Sequence, residues 1–115
     1  MPSMSKAARA YGAAGEHRTA RQQEADVFRL TIARLQAARQ NGPIARVRAL
    51  ADNRRLWMAV SDLMRDAENS LPMDLRASIL SVGLTVQREM DRDEPDFDFL
   101  IAINKHLADG LSAAG

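Results

Sequence analysis

The side chains that could do chemistry in this sequence are few and scattered. Neither His17 nor His106 has a Ser and carboxylate beside it, or a metal-ligand spacing around it. The absence of cysteine removes thiolate nucleophiles, disulfides and thiolate zinc sites together. No glycine-rich phosphate loop occurs. The acidic run Asp91, Asp93, Glu94, Asp96 and Asp98 lacks the central Gly and the closing Glu of an EF-hand loop. Carboxylates before a helix are accounted for by the helix macrodipole instead. The expectation is a protein that is not an enzyme and carries no metal or cofactor.

What remains is chemistry of contact, concentrated in Asn53-Arg54-Arg55-Leu56-Trp57. On a helix, Asn53, Leu56 and Trp57 fall on an apolar arc, while Arg54 and Arg55 point away from it. Asn104 likewise projects into an apolar arc formed by Phe97, Leu100 and Leu107. A buried amide without partners costs about 1–3 kcal/mol. Each Asn must therefore bond to something specific, such as a helix end or the other Asn. The two arginines are read either as a solvated face or as contacts to a partner carboxylate or phosphate.

The elements that must position these residues are helical. The apolar share is 46%, but 20 residues are Ala, and no alternating β-branched run appears. At 115 residues, this composition suits one modest core rather than a core plus a deep cavity. The expected fold is all-α, a small antiparallel bundle of four main helices, with a mobile tail at 1–16 and one helical domain at 17–115. The first helix runs from about Thr19 to Gln40 and is stopped by Asn41-Gly42-Pro43, with Val27, Phe28, Thr31, Leu35 and Ala38 on one arc. Over 43–67 the apolar residues form two arcs about 130° apart: Ile44, Val47, Leu50 and Ala51, then Leu56, Trp57, Val60, Leu63 and Met64. This pattern predicts a break at Asp52-Asn53, with Asp52 as N-cap, and helices over 43–51 and 53–67.

The third helix starts at Pro72 and runs to about Asp91. It shows one stripe of Leu75, Ile79, Val82, Val86 and Met90, and a second of Met73, Ala77, Leu80 and Leu84. Its remaining face is polar: Asp74, Ser78, Ser81, Thr85 and Arg88. A helix with two apolar faces sits between neighbours or offers one to a partner, so the second stripe is the leading candidate binding surface, with Arg54 and Arg55 as accessory contacts. A last helix from Pro95 to about Leu111 is expected to bury Phe97, Leu100, Ile103, Leu107 and Leu111.

Charge and targeting narrow the classes of partner. The net charge is +1, with four Lys/Arg against one Glu in residues 1–23 and a near balance elsewhere. That field is too weak for ordinary nucleic-acid binding. No apolar run reaches the roughly 20 residues of a membrane span, and the start has no signal-like apolar core, so the chain reads as cytoplasmic.

In order and spacing, the motifs resemble one known family. They are Asn53-Arg54-Arg55-Leu56-Trp57, then Leu71-Pro72-x-x-Leu75-Arg76-Ala77-x-Ile79-x-Ser81, then Ile101-x-Ile103-Asn104-x-x-Leu107-x-x-Gly110-Leu111. Weaker matches at Ala10-Tyr11 and Arg21-x-x-Glu24-Ala25 extend the likeness to nearly the whole chain. This resembles FlaF, the flagellar biosynthesis proteins of alphaproteobacteria. The chain departs from the pattern near Thr85, where such proteins commonly carry an aromatic. The resemblance implies a cytoplasmic chaperone that binds flagellin and promotes its synthesis and secretion, acting opposite FlbT. An alternative is a post-transcriptional regulator acting through flagellin mRNA or FlbT directly, against which the scattered aromatics and near-neutral charge weigh. A helix-turn-helix DNA binder is a third reading, and it would have to expose Arg54 and Arg55 while burying Trp57.

Overall fold

The computed structural model describes the backbone of residues 20–114 and the side chains of 23–110. The expected mobile tail at 1–16 and the predicted burial of Leu111 lie outside those residues. Four helices follow in order: α1 Ala20–Ala38, α2 Gly42–Arg65, α3 Met73–Met90 and α4 Phe97–Ala114. No strand occurs among the described residues, as expected of an all-α chain.

The turns are where the sequence placed them. α1 ends at Ala38, and Gly42 takes φ +90°, a left-handed conformation that suits Gly in the turn between α1 and α2. Pro43 then occupies the first turn of α2. Pro72 is the cap residue preceding α3. Short connections make successive helices antiparallel, as the paired residues show: Phe28 and Arg34 of α1 meet Trp57 and Asp52 of α2, and Asn53 and Trp57 of α2 meet Met90 and Gly83 of α3. α4 lies along α1, with Asp98 at its start bonded to Arg39 at the end of α1. α1 packs on both α2 and α4, whereas α3 packs chiefly on α2.

Two expectations are corrected. α2 is one continuous helix, with no break at Asp52-Asn53. Asp52 is no N-cap; its carboxylate is held by Arg34 of α1 at 3.5 Å and by Arg55 one turn on. The apolar arc that suggested a kink lies mostly outside the core: Ile44 is 70% and Val47 66% exposed, and Leu50 is only half-buried against it. The face that packs runs through the small Ala45 and Ala49 to Asn53, Leu56, Trp57, Val60 and Met64, an unbroken helical stripe. Small side chains let α1 and α2 approach closely at that end, so burial there does not follow side-chain size.

The second correction concerns α3. Of its expected stripe, Ile79, Val86 and Met90 are buried, joined by Gly83, but Leu75 and Val82 are exposed. A helix leaning mainly on one neighbour buries a narrow arc, and these two residues fall past its edge. In α1, Phe28, Thr31, Leu35 and Ala38 are buried as expected together with Ala25 and Ile32, while Val27 is exposed. In α4, Phe97, Leu100, Ile101 and Ala108 are buried and Ile103 and Leu107 half-buried.

Candidate partner-binding groove

The site is built outward from Trp57, the single tryptophan. Its ring is buried and meets Phe28 edge-on, with centroids 6.0 Å apart and planes at 89°, the geometry aromatic quadrupoles favour. Its indole Nε1–H donates to the Asn104 carbonyl oxygen at 2.9 Å. The Asn104 amide donates to the Asn53 carbonyl oxygen at 2.7 Å, and the Asn53 amide points its own N–H at the sulfur of Met90 at 3.3 Å. Both asparagines are fully buried. Of the partners expected for each amide, a helix end or the other Asn, the fold contains the second, and the relay fixes α2, α3 and α4 against one another.

The exposed side of this arrangement is a groove between α2 and α3. A volume of about 270 Å³ is lined by Trp57, Met58, Ser61, Asp62, Arg65, Leu80, Gly83, Leu84 and Gln87. Gly83 forms part of its floor because a Cβ there would stand 3.4 Å from the Trp57 ring and 3.5 Å from the Ser61 hydroxyl oxygen. The absent side chain lets the edge of the indole and the α3 backbone share one surface. Met58, Leu80 and Leu84 supply apolar walls, with Leu84 58% exposed. Asp62, Arg65 and Gln87 make a polar rim.

The candidate binding residues fall as follows. Leu80 and Leu84 line the groove, and Ala77 and Met73 continue the same exposed side of α3 toward its start, with Met73 77% exposed. Arg54 lies at the far end, half-buried, with its guanidinium 3.0 Å from the carboxylate of Asp91 at the end of α3. Arg55 is exposed and paired with Asp52, and does not line the groove. Met58, Ser61 and Asp62 are groove residues that sequence reasoning missed. Periodicity assigned the outer face of α2 to solvent, and only the pairing of α2 with α3 makes a wall of it.

Several of the residues singled out as motif pack or bond within the fold, whereas Pro72 and Leu75 are exposed. Leu71 is half-buried, and its N–H donates to Asn69, whose own amide caps the Leu63 carbonyl at the end of α2. Arg76 reaches back from α3 to the Asp66 carbonyl oxygen at 3.0 Å, pinning the turn between the two helices. Ile79 is in the core and Leu75 outside it. Ile103 flanks Asn104 and packs on the core. A second depression of about 500 Å³, at the α1–α2 turn, is lined by Arg39, Arg46, Val47, Leu50 and the acidic connection before α4, with Arg46 stacked 5.0 Å over the Phe97 ring. Among the described residues no group of His, Asp and Glu is arranged to hold a metal ion, and no helix is long and apolar enough to cross a membrane.

The family described as flagellar protein FlaF matches the chain over residues 7–111. No curated protein and no solved structure matches it.

Proposed function

Because the chain belongs to the FlaF family of flagellar proteins, we propose that it is a cytoplasmic chaperone that binds flagellin and promotes flagellin synthesis and secretion. The observation that carries this reading is the α2–α3 groove, with Met58, Leu80 and Leu84 around an indole floor. An apolar groove between two helices, open along its length, suits the apolar face of a third helix with anchors at i, i+3/i+4 and i+7. Flagellin segments that are unfolded before assembly and helical in the filament are occupants of that kind. Holding one would cover the surface that polymerises while leaving the segment unassembled for export. Met58 and Met73 on the exposed side suit a client whose contacts need not be rigid, since unbranched thioether side chains adapt to varied shapes.

The test is calorimetry of the purified protein against monomeric flagellin, with the flagellin mRNA leader as the competing titrant. Saturable heat with flagellin, with an affinity at least about tenfold weaker for Leu84→Glu, is the expected result. No heat with flagellin, together with salt-sensitive binding of the RNA, would overturn the chaperone reading in favour of a regulator acting on the message.

A further inference from the structure

Opposite its buried face, α3 presents Asp74, Ser81 and Arg88, which recur every seven residues and so lie along one line of the helix. Every residue of 77–87 is uncharged, and Ala77, Ser78, Leu84 and Thr85 are all exposed. Three turns of outward-facing helix without a charge are unusual for a surface that meets only water. Two of the three hydroxyls on this face already donate within the helix, Ser78 to the Asp74 carbonyl at 3.0 Å and Thr85 to the Ser81 carbonyl at 3.4 Å, while the third, Ser81, stands where two copies would meet. Covering the face would therefore leave neither donor orphaned. Among the described residues, neither Asp74 nor Arg88 is ion-paired within its own chain.

We propose that this face pairs antiparallel with the same face of a second copy of the chain, about a two-fold axis at Ser81. Asp74 lies seven residues before Ser81 and Arg88 seven after it. An antiparallel two-fold therefore sets Asp74 of each copy against Arg88 of the other, twice over. Between the two ion pairs, Ala77 meets Thr85 and Ser78 meets Leu84, small against larger. A left-handed crossing of about 20° keeps the helix ends close enough for the guanidinium to reach. A single helix pair covers less than the roughly 1,200 Å² of a standard stable interface, so the dimer is reversible and depends on concentration. It covers Ala77 and Leu84, and so competes with the client proposed for the groove, although the pairing itself does not rest on that client.

Sedimentation velocity of the full chain over a range of concentrations tests this with three variants, Asp74→Arg, Arg88→Asp and the double exchange. The parent dimerises, each single variant sets like charges together at both ends and weakens the dimer about tenfold or more, and the double exchange restores it to within roughly threefold. Asp74→Asn and Arg88→Gln, which remove charge without reversing it, weaken it less. Circular dichroism verifies that each variant keeps its helix. A parent that stays monomeric throughout, a dimer indifferent to the single exchanges, or a double exchange as weak as the singles would each overturn the proposal. Flagellin calorimetry is read separately, so the failure of either proposal leaves the other's outcome visible.

Discussion

The side-chain amide of Asn104 on α4 donates to the side-chain carbonyl of Asn53 on α2 at 2.7 Å, in the core, with no exposed atom on either residue. Asn104 also accepts the Trp57 indole N–H, so it serves two buried groups, that N–H and the Asn53 side-chain carbonyl oxygen. Asn104→Leu therefore orphans two buried polar groups and is expected to cost about 3 kcal/mol or more, against about 1–3 kcal/mol for Asn53→Leu. Urea denaturation measures both. The double variant is expected to cost less than the sum, because each single change already breaks their shared bond.

Gly83 faces Trp57 with room for one methyl group in ordinary contact, 3.4 Å from the ring. Replacing Gly by Ala inside a helix gains up to about 1 kcal/mol. Gly83→Ala is thus expected to leave thermal stability unchanged or raise it. Gly83→Val, with two further carbons aimed at the indole, is expected to lower it. A clear drop in melting temperature for the Ala variant would show that the helices are closer than this geometry allows.

Leu84 and Met58 are mostly exposed, so charge placed there should cost little stability, within about 0.5 kcal/mol. Leu84→Glu and Met58→Glu are nevertheless expected to weaken flagellin binding at least tenfold, because a partner helix would bury the new carboxylate without a counter-charge. Unchanged affinity by calorimetry in both variants would place the client elsewhere.

Arg54 and Asp91 hold the far end of the groove at 3.0 Å, but their side chains are 37% and 59% exposed. Discounted for solvent screening, the pair contributes less than about 1 kcal/mol. Arg54→Ala is expected to lower stability by no more than that, with the difference shrinking as salt is raised. Arg55→Ala, which breaks only a pair within α2, is expected to be neutral.

Much of this fold was legible because helical periodicity and turn residues report directly on local structure. Asn41-Gly42-Pro43 and Pro72 marked the helix boundaries to within a few residues. The Asn53–Asn104 bond was legible for a thermodynamic reason: an amide in an apolar arc must find a partner, and few were on offer. The kink at Asp52 was wrong because Ile44 and Val47 outweighed Ala45 and Ala49 in the pattern, whereas close helix approach rewards the smaller pair. Leu75 and Val82 share a stripe with the buried Ile79, Val86 and Met90 yet stay exposed, because a single helix does not encode how many neighbours it will have. The α2 wall of the groove was hidden for the same reason: Met58 and Asp62 gain meaning only from α3 lying beside them.

The attachment of α3 to α2, rather than to the whole bundle, sets an order of opening. The helix held most lightly is the one whose amides are expected to exchange first with solvent deuterium, below the free energy of global unfolding. An opening of α3 away from α2 would have to break the Asn53–Met90 contact and the Arg76–Asp66 bond. The groove proposed for a client is thus mounted on the most lightly held part of the molecule, and widening it would leave the bond between Asn53 and Asn104 intact.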